Sequence, residues 1–274
     1  MEFRDELGFR VEVNHPPARV VSLVPSLTET LFALGLDDEV VGVTRFCIAP
    51  EEKVASRTKI GGTKNPKLRE IIDLAPDLVV ANAEENRRED VEHLRSQGLA
   101  VYVTYPRTVP AAVESIIGLG RVLGRDAQAG GLAREIVRVV SGIETAMGAW
   151  TKLRLRVFCP IWKNPWMAFN ADTYPHDVLR MLGFNNVYAS AGERYPRTTL
   201  EAALERNPDV VLLPDEPYAF GASDIDELKA SLPPALARRM ALISGRDLHW
   251  YGVHMVTGLA TLSARLSKIR AAVT

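Results

Sequence analysis

The sequence predicts an α/β protein of two lobes, each built on a mainly parallel sheet, joined by one long rigid α-helix. Three observations predict it. First, short apolar runs rich in Val, Ile and Leu alternate with helical patterns along most of the 274 residues. That alternation indicates parallel strands covered on both faces. Second, LREIIDLAPDLVVA around Pro76 is echoed by LEAALERNPDVVLLP around Pro208, 132 residues later and close to half the chain. In each copy a short amphipathic helix ends at a proline and an Asp opens a strand. A period that long is not a solenoid repeat and points to two similar lobes. Third, DAQAGGLAREIVRVVSGIETAMGAW lies between the copies. Its Leu132, Ile136, Val140, Ile143 and Met147 recur at three- and four-residue steps, which is one helical face. Some 20 helical residues span roughly 30 Å, although Gly130 and Gly131 weaken the start. The expected division is 1–124 for the N-terminal lobe, 125–150 for the connecting helix and 151–274 for the C-terminal lobe.

The elements follow in order. ARVVSLV reads as a buried strand and PSLTETLFALG as the helix after it. Ser26 and Glu29 match the capping box S-x-x-E, and Gly35 is a natural helix stop. EVVGVT is the next strand. LREIIDLA is a short helix broken by Pro76, DLVVAN a strand, REDVEHLRSQG a helix ending at Gly98, and LAVYVTY a strand. In the second half LRLRVFC is a strand, YPHDVLRMLG and TLEAALERN are helices, and DVVLLP is a strand. LPPALARRM leads to a last short strand, ALIS, and TGLATLSARLSKIRAAV closes the chain as a helix. Both halves therefore read as Rossmann-like lobes.

Composition narrows the function classes. The chain is 47% apolar and 24% charged with a net charge of −1, which fits a folded globular protein. It has no basic stripe for nucleic acid and no apolar run near 18 residues. The opening residues MEFRDELGFRVEV lack the apolar stretch of a signal peptide. The expectation is either a cytoplasmic protein or one whose signal has been removed. Cys47 and Cys159 fall in different halves and are expected as free thiols. No C-x-x-C motif, nucleophile elbow, P-loop or G-x-G-x-x-G occurs, so no enzyme is expected.

Ligands of open parallel sheets bind beyond the carboxyl ends of the strands. The first lobe places Pro25, Ser26, Arg45, Phe46, Cys47, Asn82, Glu84, Glu85, Tyr105 and Arg107 there. The second places Trp162, Asn164, Trp166, Glu216, Tyr218, His249, Trp250 and Tyr251 there. If the lobes face each other, these loops line one cleft. Pro165, between Trp162 and Trp166, argues against a regular helix or a central strand at IWKNPWMAF. Indoles in such a loop either fill the core or form a wall for a flat, partly apolar ligand. His176, His249 and His254 could ligate a metal centre, or act as neutral hydrogen-bonding residues. Glu84, Glu85 and Glu216 could join them around a bare metal ion.

RVVSLVPSLTETLFALGL, VVGVTRFCIAP, IGGTKNPKLREIIDLAPDLVVA and the echo TTLEAALERNPDVVLL resemble the class III, helical-backbone substrate-binding proteins of ABC importers. The resemblance covers roughly residues 18 to 270. IWKNPWMAFNADTYPHDVLRMLGFNNVYA and Trp250 are most similar to the periplasmic cobalamin (vitamin B12)-binding branch. The resemblance implies a monomer that captures a corrinoid in the cleft, with Trp162, Trp166 and Trp250 on the ligand and Lys64, Glu84 and Glu85 at its amide periphery. Haem, an iron–siderophore or a metal ion is the alternative cargo, and a cytoplasmic corrinoid-handling protein the alternative role. No cofactor beyond the cargo is implied. Phe46 stands where that branch carries a cleft tyrosine. The branch's first-lobe tryptophan aligns near Thr63 and Lys64, which makes this wall more polar. The resemblance also implies docking on the permease through one acidic residue per lobe. Glu201 matches in the second lobe, whereas Arg69 takes the first-lobe position with Glu70 beside it. The stiff helix implies a closure of only a few degrees on binding.

Overall fold

The computed structural model describes residues 1–148 and 154–271. The end of the expected connecting helix, with Trp150, and the last two residues of the expected closing helix lie outside the described residues. The chain divides into two compact units. One comprises Met1–Pro106, Pro110–Ile136 and Tyr251–His254, and the other Arg107–Val109, Val137–Trp250 and the chain from Met255 on. A 22-residue helix, Asp126–Met147, contains the boundary between Ile136 and Val137. It begins at Asp126 and runs through Gly130 and Gly131.

The first unit holds a five-stranded parallel sheet in the order Thr58–Lys59, Val40–Val43, Val20–Ser22, Leu78–Asn82, Val101–Thr104. Val20–Ser22, Leu78–Asn82 and the edge strand Val101–Thr104 are buried residue after residue, as strands covered on both faces must be. Val21, Val79, Val101 and Val103 pack with Ile71, Val91 and Leu94, which come from helices Leu68–Asp73 and Arg88–Ser96. The second unit holds a four-stranded parallel sheet in the order Phe184–Asn186, Leu155–Phe158, Val210–Pro214, Met240–Ile243. Phe158, Val211 and Leu213 pack with Ala203 and Leu228 on one face.

The sequence echo is a structural duplication down to single hydrogen bonds. Arg19, just before the first strand of its sheet, donates from Nε and Nη2 to the Leu74 carbonyl at 3.0 and 2.7 Å. The Asp77 carboxylate accepts the Arg19 backbone N–H at 2.9 Å, and the Asp77 N–H returns to the Arg19 carbonyl at 2.8 Å. Arg156 repeats the pattern in the second sheet. Its guanidinium bonds the carbonyls of Arg206 and Asn207, Asp209 accepts its N–H at 2.8 Å, and the Asp209 N–H returns to its carbonyl at 2.7 Å. In both copies the residue before the proline is left-handed, Ala75 at φ 44° and Asn207 at φ 48°. These clasps satisfy helix-end carbonyls that have no intrahelical partner and tie the turn after each short helix to the start of the neighbouring strand, Val20–Ser22 or Leu155–Phe158.

One expected feature is corrected. The helix Pro25–Ala33 begins at Pro25, with Val24 at the cap and no side-chain cap bond. Ser26 lies inside the helix and is buried, so it does not form a capping box with Glu29. Proline at the first helical position needs no N–H partner and has its φ already set, which moves the cap two residues earlier, from Ser26 to Val24. Gly35 does end this helix, at φ 82°.

Candidate functional site

Strand order alone picks out two places. In the first sheet the connections run outward in both directions from Val20–Ser22, so the chain switches direction between that strand and Leu78–Asn82. In the second it switches between Leu155–Phe158 and Val210–Pro214. The crevice at the carboxyl ends of such strand pairs is the usual ligand position of open α/β sheets.

In the first unit this point brings together Pro25, Ser26 and the turn Asn82–Asn86. Asn82 is buried, and its Oδ1 accepts the N–H groups of Glu84 and Glu85 at 2.8 and 3.0 Å. Its Nδ2 donates to the Tyr251 hydroxyl at 2.9 Å. Asn86 Oδ1 accepts the Asn82 N–H at 2.9 Å, and Asn86 Nδ2 donates to the carbonyls of Leu23 and Thr63. The Lys64 ammonium donates to the Glu84 carbonyl. This polar turn therefore presents Glu84 half-buried and Glu85 exposed. Glu85 meets solvent but sits in a crowded surround. Partial desolvation by the surrounding protein raises its carboxyl above the usual range despite that exposure, Lys64 opposes the rise and Glu84 adds to it.

Other expected residues of this unit separate. Phe46 is 49% exposed, with the Arg45 guanidinium 4.9 Å from its ring centre. Cys47 is placed otherwise than expected. It is 3% exposed, its Sγ lies 3.1 Å from the hydroxyls of Thr28 and Thr44, and burial pushes its thiol up. It is a packed interior thiol. Tyr251 also turns inward, its hydroxyl shared between Asn82 and Thr104. It braces the turn that carries Glu84 and Glu85. His254 Nδ1 lies 3.7 Å from Glu29 Oε2. The Tyr105 N–H donates to Glu6 Oε2.

In the second unit the switch point carries the aromatic residues. The loop after Leu155–Phe158 folds back on itself: the Ile161 N–H donates to the Met167 carbonyl at 2.9 Å and the Met167 N–H to the Trp162 carbonyl at 3.1 Å. Trp162 projects outward, 42% exposed, and meets Tyr218 edge-on at 5.7 Å and 73°. Trp166 turns the other way. It stacks on buried Phe220 at 5.9 Å and 14° and packs against Phe158 at 6.1 Å. Of the two indoles that the sequence treats alike, one is exposed and the other belongs mainly to the core. Asn164 is exposed at the turn. Trp250 is half-buried under the Arg246 guanidinium at 4.3 Å. The close approach of Gly245 helps set the neighbouring loop, since a Cβ there would lie 2.5 Å from the Glu216 carbonyl oxygen. His249 meets Phe169 edge-on at 6.3 Å, its Nε2 is enclosed without a partner, and burial lowers its pKa to about 4. Burial lowers the His176 pKa as well, and its Nδ1 is likewise enclosed. Both rings are held neutral. Arg107 pairs with Asp172 at 2.8 Å.

Sequence reasoning missed Lys163. Only 8% exposed, it places its ammonium 2.7 Å from Asp224 Oδ1 and 2.6 Å from Glu227 Oε2. Both carboxylates lie on the helix Ala222–Ser231. The charged letters D-I-D-E in that helix were the only signal. Both cysteines are free thiols. Among the described residues no group of three His, Cys, Asp or Glu is arranged to hold a metal ion, and no helix is long and apolar enough to cross a membrane.

Away from these loops, Glu201 is exposed in the first turn of Leu200–Glu205, where Thr199 accepts the Ala202 N–H at 3.2 Å. Its own backbone N–H, with Thr199, holds its carboxyl below the usual range. In the first unit Arg69 pairs with Asp73 at 3.0 Å, and Glu70 with Lys67 at 2.7 Å.

Comparison with known proteins places this geometry. The profile of the family described as periplasmic binding protein matches residues 20–247. A vitamin B12-binding protein of Vibrio parahaemolyticus is 27% identical over 198 residues, 72% of this chain and 71% of that protein. The crystal structure of the periplasmic vitamin B12-binding protein BtuF of Vibrio cholerae superposes with a TM-score of 0.80 at 18% identity, covering 93% of this chain and 98% of that one. The periplasmic haem-binding protein RhuT from Roseiflexus sp. RS-1, in apo form, superposes with a TM-score of 0.77 at 22% identity, covering 92% and 98%.

Proposed function

This chain belongs to the periplasmic binding protein family, and on that premise we propose that it is the substrate-binding component of an ABC importer whose cargo is a corrinoid, cobalamin first. It works on the outer side of the membrane and hands the ligand to the permease.

The observation that carries the reading is Trp162. An indole 42% exposed at a strand-order switch point, held in a T-shaped contact with Tyr218, leaves a large part of its apolar surface open to a ligand. Indoles bury on the order of 150–250 Å², and apolar burial contributes about 25 cal/mol per Å². Covering this surface is therefore worth a few kcal/mol before the cost of association. Within the first unit, Lys64, Glu84 and Glu85 gather at that sheet's own switch point and offer a donor and acceptors of the kind that amide groups take. The vitamin B12-binding relatives support cobalamin over other flat metal complexes.

The test is a titration of the protein with cyanocobalamin, following tryptophan fluorescence and co-elution of the coloured ligand on gel filtration. Saturable one-to-one binding is expected. Trp162→Ala should weaken it by more than about tenfold, roughly 1.4 kcal/mol. No binding at tens of micromolar rejects cobalamin and brings haem, ferric siderophores and metal ions into the same assay.

A further inference from the structure

We propose that Lys163 is a positioning residue for this site: its buried ion pairs with Asp224 and Glu227 fix the direction of Trp162 and its contact with Tyr218. The inference rests on the reading of Trp162 as the residue that meets the ligand.

The geometry has three parts. Trp162 makes the bridge to Met167, and Lys163 follows it directly as the first residue of the turn 163–165. The two side chains hang from adjacent backbone positions, so holding Lys163 inward restricts where the Trp162 side chain can go. Exposure divides the same way, 42% at Trp162 and 8% at Lys163. Next, Asp224 serves both loops. One oxygen takes the Lys163 ammonium at 2.7 Å, and the other accepts the Gly221 N–H at 2.9 Å. Gly221 ends the segment that carries Tyr218 and Phe220, so one carboxylate ties the Trp162 loop to the Tyr218 loop. Last, Glu227 closes the cluster at 2.6 Å while keeping its own side chain 64% exposed.

Stability does not account for this arrangement. Taking a lysine and a carboxylate out of water costs about as much as their attraction returns, and a well-packed apolar residue of similar length often serves as well. What an ion pair adds is direction: the ammonium must point at the two oxygens. A methionine at 163 would fill the same space without imposing that orientation. Burial of Asp224 works to raise its carboxyl, yet the bonds from Lys163 and Gly221 leave it below the usual range, and the same carboxylates raise the lysine. The cluster therefore keeps its charges over the neutral range.

The test uses the full chain and has one readout without ligand. The near-ultraviolet circular dichroism difference between wild type and Trp162→Phe reports how firmly the indole is held against Tyr218. We expect that difference to shrink severalfold when measured in a Lys163→Met background. An unchanged difference overturns the proposal. The second readout is the Kd for cyanocobalamin. Lys163→Met should weaken binding about tenfold in wild type but less than about twofold once Trp162→Ala is present, because residues acting through one contact are non-additive. Lys163→Arg, which keeps both ion pairs, should restore most of the affinity. A full tenfold loss persisting beside Trp162→Ala means that Lys163 acts by another route, and the proposal fails. If wild type does not bind cyanocobalamin, the cargo reading fails and the dichroism difference still decides the role of Lys163. Should Lys163→Met not fold, Glu227→Gln, on a mostly exposed side chain, carries both measurements.

Discussion

His249 sits edge-on to Phe169 with its Nε2 shut away from water and from any acceptor or donor. Such a ring is tolerated neutral and resists a proton. Its pKa of about 4 in the folded protein lies below the ordinary value near 6.5. Between those values the unfolded chain binds a proton that the folded chain does not. Stability must therefore fall as pH drops from 6.5 towards 4, and His249 contributes nothing to pH dependence above that window. The full loss is about 3 kcal/mol at most. Denaturant titrations of wild type and His249→Leu at pH 7, 5 and 4 measure it. The wild type should lose stability relative to the variant as pH falls, and parallel curves would refute the burial argument. The same enclosure makes a metal-ligand role for His249 unattractive, since a ligand nitrogen needs an open approach.

The duplicated clasp sets what can be learned at the level of elements. Ala75 and Asn207 occupy the same left-handed position before Pro76 and Pro208, but only asparagine visits that region readily. For alanine the conformation costs about 1–2 kcal/mol, while a glycine there loses roughly 0.5–1 kcal/mol through the freedom of the unfolded chain. Ala75→Gly should therefore stabilise the protein by about 0.5–1 kcal/mol, and Asn207→Gly should change little. Thermal unfolding of the pair decides, and a destabilised Ala75→Gly would count against the account. The clasp was visible in the sequence because its parts are local: helix, proline, Asp, apolar strand. Elements whose logic is not local were missed. Helix Val109–Leu123 contains Pro110, Gly118 and Gly120, which read as breakers. Pro110 is at its start, where proline fits. Gly118 and Gly120 make room for neighbours, since a Cβ would lie 2.6 Å from the Tyr102 hydroxyl and 2.2 Å from Ala129 Cβ. The charged hairpin Glu2–Arg4 with Arg10–Glu12 has strands too short to show a period. At the candidate site, strand-end loops could be read from the pattern, so Trp162, Glu84 and Glu85 could be placed on them. The direction of a side chain within a loop could not. Cys47, Trp166 and Tyr251 turn inward because of partners elsewhere in the chain, and the partners of Lys163 lie 61 and 64 residues away.

A binding protein has to hold its cargo and then be held by its importer, and these two tasks should separate by mutation. The whole molecule has a net charge of −1, so no strong overall field guides it to a partner. Docking must then depend on local charges, and we propose Glu201 as the principal one. It is exposed, and its backbone and Thr199 bonds keep it ionised to low pH. The corresponding stretch of the first unit is already neutralised. Arg69 pairs with Asp73, and Glu70 with Lys67. Docking should therefore be asymmetric between the two units. Glu201→Ala is expected to leave the Kd for cyanocobalamin within about twofold, because it is an exposed helix charge and such surface charges perturb binding only weakly. It should weaken association with the importer about tenfold or more, as loss of one partner of an interfacial charge pair does. Glu70→Ala should have the smaller effect on association, since Lys67 already compensates it. Immobilised importer in lipid nanodiscs, probed with each variant at low and high salt, measures both. The Glu201 effect should shrink as salt screens the contact beyond a Debye length of about 10 Å at 0.1 M. Loss of cyanocobalamin binding in Glu201→Ala would place that helix in the ligand site instead. Equal, small effects of Glu201→Ala and Glu70→Ala on association would remove Glu201 from the docking surface and leave the charge-neutral first unit as the model for both.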